Sequence, residues 1–240
     1  MNSPLYPNQP CVEVATEVRF KGELKVENFR SEFQKLVREK YGALRVPAAK
    51  EGVAPALQPY RFESENGESG IQLAINSFSY YSREYPGHTA FLESAAENLE
   101  KFLNLIGEVA VTRVGWRYIN AIPFTRKDGY LPLNKFFQDS QVFGSCLGGH
   151  LLDVDFVAVV KKDDIQTRIS LKATETKNRP GEEALILDID SYFSEPNPTI
   201  KSGAKQIFEH IEAVHNASSN MFRSLISGEY EAFLKGGDDG

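Results

Sequence analysis

Charged side chains at even spacing within predicted strands are the residues of this chain best suited to chemistry. Asp153 and Asp155 lie two positions apart, and so do Asp188 and Asp190. Side chains of a β-strand alternate between the two faces of a sheet, so residues at even spacing share a face. The same rule groups charged residues of two further predicted strands, namely Glu13, Glu17 and Arg19, and Arg113 with Arg117. If these strands are neighbours, one sheet face carries a lattice of carboxylates and guanidinium groups.

Three interpretations fit such a face. Carboxylate oxygens are the ligands that Mg²⁺ prefers, so a metal-dependent hydrolase would use the four aspartates as ligands. Guanidinium groups bind anions, so a binder of a small anionic ligand would use the arginines. The candidate ligand-binding residues are Arg19, Arg113, Arg117, Asp188 and Asp190. Alternatively, the face is solvated and holds only cross-strand ion pairs.

The segment GSCLG at residues 144–148 imitates a Gly-x-nucleophile-x-Gly elbow, with His150 close by. Such an elbow requires a strand before the nucleophile and a helix after it. Here an irregular polar stretch precedes the segment and a predicted strand follows, which favours a glycine-rich turn. The sequence contains no phosphate-binding glycine loop of the P-loop or dinucleotide type. We therefore assign no catalytic residue and expect no cofactor.

Histidines and aromatic residues offer two further chemistries. His210 and His215 lie five positions apart on a predicted helix, about 140° around its axis, so they are not expected to share a zinc ion. We predict no metal site. Aromatic side chains could stack on bases if they were exposed, although alternating aromatics more often line a core. They are Phe78, Tyr80, Tyr81, Tyr85, Trp116 and Tyr118.

Hydrophobic periodicity predicts the elements that must position these residues. Strands are expected at residues 11–20, 56–65, 70–80, 108–122, 151–160, 166–174 and 184–192. Helices are expected at residues 26–41, 89–106 and 204–227, with Thr89 as an N-cap and a short helix near 133–138. In the first strand, Val12, Val14, Val18 and Phe20 are predicted to share the buried face. In the central strand, Trp116 is predicted to face opposite to Arg113 and Arg117.

The predicted order is β-α-β-β-α-β followed by β-β-β-α, an α+β fold. Hairpin connections predict a mainly antiparallel sheet with three main helices packed on one face. Since no linker rich in Gly, Ser or Pro divides the chain, residues 1–240 are expected to form a single unit. The alternative is two lobes, at 1–120 and 121–240.

Composition narrows the functional classes. The chain has 240 residues with a net charge of -6, so a nucleic-acid partner is not expected. The chain has only two cysteines, and its first residues do not resemble a signal peptide. Both observations predict a cytoplasmic protein. No apolar stretch approaches the roughly 20 residues of a membrane span. A homodimer could form if an edge strand, such as residues 11–20, paired across a two-fold axis.

Four segments carry a family resemblance: QPCVEVATEVRF, RVGWRYIN, LILDID and HIEAVHNASSNMFRSLIS. Together they resemble a sporadically distributed, uncharacterised family of bacterial proteins of about this length. Its members open with a Pro-x-x-Glu-Val-x-x-Glu-Val-Arg-Phe-like strand and carry an Arg-x-Gly-x-Arg-Tyr-Ile-Asn-like strand near the middle. The resemblance implies no established activity, but patchy distribution often accompanies mobile or defence-related genes. We therefore expect a non-catalytic interaction or regulatory protein with a protein partner.

Overall fold

A computed structural model describes residues 6–47, 52, 57–138, 150–176, 181–194 and 203–237. The strands are β1 (Cys11–Phe20), β2 (Ala43–Arg45), β3 (Tyr60–Glu63), β4 (Ser69–Ala74), β5 (Ser77–Ser82), β6 (Val111–Phe124), β7 (Asp155–Lys162), β8 (Ile165–Glu175) and β9 (Glu183–Ser194). The helices are α1 (Lys25–Val37), α2 (His88–Ile106), α3 (Leu133–Phe136), α4 (Ala204–Leu225) and α5 (Gly228–Leu234).

The strands form one nine-stranded sheet in the order β2-β3-β4-β5-β1-β6-β9-β8-β7. Every neighbouring pair is antiparallel. The predicted α+β class and antiparallel sheet are therefore confirmed. The strand proposed for dimerisation, β1, lies between β5 and β6, so its backbone is already paired on both sides and the prediction of an edge strand there was wrong.

Four predicted elements differ from the structure. The segment predicted as one strand at 70–80 is the hairpin of β4 and β5, whose pairing closes at Ala74 and Ser77. The predicted loop at 43–55 contains the short strand β2. The final helix is two helices, because the chain leaves helical geometry at Ile226 and the Ser227 side chain caps α5 by accepting from the Tyr230 backbone N–H. Thr89 lies within α2, for which Gly87 is the N-cap.

The core follows from the alternation in the central strands. Val14, Val18, Val114 and Trp116 are fully buried and face the same way across the β1–β6 pair. Side chains of α1, α2 and α4 belong to the same apolar cluster, namely Phe33, Phe91 and Ile211. A second cluster lies towards β8 and β9 and includes Leu171, Leu185 and Leu187. Trp116 therefore has the apolar surroundings that the sequence predicted.

The buried face of β1 starts later than the period-two pattern predicted. Val12 is 44% exposed, whereas Val14 is fully buried. The register with β6 shifts between Cys11 and Glu13, where a bulge-like irregularity interrupts the pairing. An irregularity of this kind breaks the alternation of side chains, so Val12, which lies where the register shifts, does not follow the pattern of the strand. Among the described helices, none is long and apolar enough to cross a bilayer.

Truncating a core side chain of β9 tests this packing. Leu187 is 1% exposed, so Leu187→Ala should lower the free energy of unfolding by about 2–5 kcal/mol through lost burial and the cavity left behind. Leu152→Ala removes the same atoms from a side chain that is 65% exposed. It should change the free energy of unfolding by less than about 0.5 kcal/mol. Urea denaturation followed by circular dichroism measures both. Equal losses for the two variants would contradict the assigned core.

Candidate functional site

The five predicted ligand-binding residues lie on three adjacent strands and share one face of the sheet, which we call the charged face. β6 lies between β1 and β9, and Glu17, Gly115 and Tyr192 form one row across them. Arg117 lies directly opposite Asp190, and the row beyond it holds Asp188 opposite Ile119. Arg113 and Arg117 of β6 bind carboxylates that lie in other rows. The residue directly opposite each arginine on the neighbouring strand is not the one that it binds.

Arg113 is the centre of the ion pairs on the charged face. Its Nη1 donates to Glu17 at 2.7 Å, and its Nη2 donates to both carboxylate oxygens of Asp190 at 2.7 and 2.8 Å. The guanidinium carbon lies 4.5 Å from the centre of the Tyr192 ring. Only 14% of the Arg113 side chain is exposed. A largely desolvated guanidinium with two carboxylates and an aromatic ring is held in one orientation.

The remaining ion pairs extend from this centre. Arg117 donates two parallel hydrogen bonds to Asp188, at 2.8 and 2.7 Å, and these bonds raise its pKa above the usual range. Arg168 of β8 lies 3.8 Å from the same carboxylate. Arg19 donates to Glu17 at 2.8 Å. Each guanidinium therefore has a carboxylate neighbour, and the charged face largely neutralises itself, as expected for cross-strand ion pairs on a solvated face.

Gly115 provides the space in which Arg113 lies. A Cβ atom built on Gly115 would sit 2.9 Å from Arg113 Cζ, closer than real Cβ atoms come to other heavy atoms. Arg113 folds over this residue to reach Glu17 on one side and Asp190 on the other. The Arg-x-Gly sequence of β6 thus has a local physical reason, because any side chain at position 115 would displace the Arg113 guanidinium.

The four strand aspartates do not converge. Asp155, at the start of β7, accepts a hydrogen bond from Lys172 at 2.9 Å. Asp153 precedes β7 and accepts from the backbone N–H of Val154. Asp188 and Asp190 lie two strands away on β9 and bind arginines. In the part of the chain that the structure describes, these carboxylates form no group that could hold a metal ion together.

Two other predicted features have simple outcomes. Residues 144–148, the elbow-like segment with Cys146, lie outside the described residues. His150 is described, and its ring stacks on Tyr130 at 4.6 Å between centroids. Five aromatic side chains considered for base stacking are buried and belong to the core rather than to a binding surface, namely Phe78, Tyr80, Tyr81, Trp116 and Tyr118. Tyr85 is half-buried and donates to or accepts from the hydroxyl of Tyr118.

The structure also brings together three residues that the sequence analysis did not combine. His88 begins α2, while Glu212 and His215 lie on one face of α4. Their side-chain ligand atoms all lie within 4.8 Å of one another. Burial, the neighbouring His88 and Arg223 lower the pKa of His215 to about 3, so its ring is neutral at pH 7. The available signal was the Glu-x-x-His spacing on α4, which places both side chains one turn apart.

A small cleft lies near the start of α2. It is lined by residues that include Tyr85, Gly87, Tyr118, Ser219 and Arg223, and its volume is about 70 Å³. Pockets for drug-sized ligands measure roughly 300–1,000 Å³. This cleft, between the sheet and α4, therefore has room for waters or an ion but not for an extended organic ligand.

Strand β7 is the longer edge of the sheet. It has eight residues and pairs with β8 alone among the described strands. Val157, Val159 and Val160 are 51%, 56% and 44% exposed. The opposite edge, β2, has only three residues. A long edge presents many backbone groups to a further strand, whereas a short edge presents few.

Comparisons with known proteins add no assignment. No protein-family model matches the chain, and no curated protein is similar to it in sequence.

A substitution at Gly115 tests the arrangement of the charged face. Gly115→Ala should lower the free energy of unfolding by about 1–3 kcal/mol, because its methyl group displaces the Arg113 guanidinium. In an Arg113→Ala background the same substitution should cost less than about 0.5 kcal/mol, since the conflict is with that side chain. Gly228→Ala is the control, because a Cβ there meets nothing within 4 Å. Additive losses in the double variant, measured by urea denaturation, would contradict the proposed contact.

Proposed function

We propose that this chain is a non-catalytic interaction or regulatory protein of a bacterial accessory or defence-type locus, and that it binds through edge strand β7. The resemblance of its four motif segments supports the type of locus. The observation that carries the interaction function is the edge itself: among the described strands β7 pairs with β8 alone, and it carries three exposed valines. Natural proteins usually protect such an edge, and a retained one is a site for strand addition.

The charge pattern of β7 favours a second copy of the chain as the added strand. A two-fold axis through Ala158, normal to the sheet, sets Asp155 opposite Lys161 of the second copy and Val157 opposite Val159. These four residues alternate with Ala158 and so share one face in both copies. Shifting the axis to Val159 would place Asp155 opposite Asp163 instead, so the charges select the register about Ala158.

The proposal includes the position of the three main helices. We place α1, α2 and α4 on the face that carries Trp116, which leaves the charged face open to solvent and to partners. Support comes from the apolar cluster that Trp116 shares with Phe33, Phe91 and Ile211. The outward-facing residues of β7 then continue the charged face, because Val157 and Ser170 are opposite each other and Ser170 is opposite Asp188. Pairing of two copies would join two charged faces into one surface.

Because the arginines are already in ion pairs, the charged face fits a protein interaction surface better than a pocket for a small anion. Arg113 and Arg117 already hold carboxylates at hydrogen-bond distance, so an incoming anion would have to displace Asp190 or Asp188. A self-neutralised polar surface gives register and specificity to a protein interface at little electrostatic cost. The charged face therefore contributes electrostatic complementarity to the interface, and the backbone of β7 contributes the main-chain hydrogen bonds.

Charge reversal on β7 tests self-pairing. We expect the purified chain to show a concentration-dependent monomer–dimer equilibrium in sedimentation equilibrium. Asp155→Lys alone, or Lys161→Asp alone, places like charges opposite each other twice per dimer and should weaken association about tenfold or more. An equimolar mixture of the two variants should associate again, because each opposite pair is then of unlike charge.

The matched control is Glu65→Lys, which makes the same charge change in the turn between β3 and β4, far from β7. It should leave association unchanged. A chain that remains monomeric at every concentration contradicts self-pairing through β7. A dimer that neither reversal weakens, or a mixture that does not associate, contradicts the register about Ala158.

A further inference from the structure

We propose that His88, Glu212 and His215 form a binding site for a transition-metal ion of the Zn²⁺ class. No residue of this group belongs to the charged face or to β7, so the site is independent of the proposed interaction. Two imidazoles and one carboxylate are a donor set that suits zinc and its neighbours in the first transition series. Mg²⁺ and Ca²⁺ prefer oxygen ligands alone and are not favoured here.

All three proposed ligands lie on helices rather than on loops. Glu212 and His215 lie three residues apart on α4, which puts both side chains on one helical face. His88 is the first residue of α2, the second helix that contributes a ligand. Its Nε2 is 3.2 Å from the Glu212 carboxylate. Two helices of the core therefore converge at one point, and their packing on the sheet holds the distance between the ligands.

Unpaired ring nitrogens give the second observation. His215 is 96% buried, since its relative exposure is 4%. Its Nδ1 and the Nδ1 of His88 are both buried without any hydrogen-bond partner among the described residues. A buried polar atom with no partner is costly, and native structures normally satisfy it. An imidazole nitrogen whose lone pair is free can bind a metal ion, so these two atoms are available to the proposed site.

The present ring arrangement shows what must move when the ion binds. The two imidazoles are stacked, with centroids 3.7 Å apart and planes 11° from parallel. A metal lies in the plane of each imidazole that it binds, so two parallel rings do not share one ion. Tetrahedral coordination at about 2.0–2.1 Å sets two ligand nitrogens roughly 3.4 Å apart. The rings must therefore rotate out of the stack, while the ligand atoms need to approach by little more than 1 Å from their present limit of 4.8 Å.

Three protein ligands leave one tetrahedral position for water or another small ligand. None of the three ligands lines the nearby cleft, but its walls include Gly87, directly before His88, and Ser219, one helical turn after His215. It has the volume for a few water molecules, about 70 Å³.

Trp116 provides a built-in reporter of binding. It is the single tryptophan of the chain. Its ring contacts both histidines, at 5.6 Å from His88 and 4.8 Å from His215 between centroids. Rotation of the imidazoles changes the surroundings of this indole, so its fluorescence should change as the site fills.

The test is titration of the untagged chain, freed of metal by chelator, with ZnCl₂ by calorimetry and by tryptophan fluorescence. We expect one equivalent of Zn²⁺ to bind, with the fluorescence change saturating at the same ratio. Titration with Co²⁺ should give the visible absorption bands of a tetrahedral nitrogen–oxygen site. His215→Ala and Glu212→Gln should each weaken binding by about 100-fold or more, since ligands count for at least as much as their supporting residues.

His210→Ala is the matched control. This histidine lies on the same helix but stacks on Phe193, with ring centroids 4.6 Å apart, so its loss should leave affinity unchanged. Glu212→Gln keeps the shape of a side chain that is 43% exposed, which separates loss of a ligand from loss of the fold. The proposal is overturned if no stoichiometric binding occurs, or if His210→Ala weakens binding as much as His215→Ala does.

Discussion

The hydrogen-bonded register of β6 with β1 and β9 is the constraint on which the rest of the molecule depends. It sets Trp116 opposite Thr16 and Ser191 on one face, and Gly115 opposite Glu17 and Tyr192 on the other. A slip of one residue would exchange the two faces and bury Arg113 in the apolar cluster. Because a buried unpaired guanidinium is prohibitively costly, the charged face and the core enforce the same register from opposite sides of the sheet.

The two faces divide the polar groups into different roles. On the charged face, arginines and carboxylates form ion pairs in contact with water, so each pair is weak. Together the pairs hold the charged side chains in fixed orientations. On the face of Trp116, the few polar groups are costly, and most have defined partners: Thr16 donates to the Gly115 carbonyl, and Ser218 donates to that of Trp116. Among the described residues, the stacked imidazoles of His88 and His215 depart from this rule at Nδ1, as do Trp116 at Nε1 and Asn98 at Oδ1. Departures from local consistency concentrate at functional sites, which is why these rings stand out more than the abundant surface charges.

Much of the fold was available from the sequence, because period-two alternation is strong in β1, β6, β8 and β9. The shared face of Arg113, Arg117, Asp188 and Asp190 followed from the same pattern. The turn between β4 and β5 was missed because Ile75 and Asn76 lack the glycine that usually indicates a two-residue hairpin. Strand order is a tertiary property, so spacing did not reveal that β1 is central or that β7 is an edge. His88 of α2 meets Glu212 of α4, a residue 124 positions away in the sequence. No local pattern in the sequence predicts a contact at that separation.

The central position of β1 has a consequence for the newly made chain. Its hydrogen-bonding partners are β5, which begins at Ser77, and β6, where Trp116 pairs with Thr16. At about 5–20 residues per second, ribosomal synthesis leaves β1 without β6 for roughly 5–20 s. During this interval Val14, Val18 and Phe20 have no complete core to enter. Folding must wait for distant segments, so the apolar side chains of β1 stay exposed on the nascent polypeptide, and maturation is slow compared with that of a helical bundle of equal length.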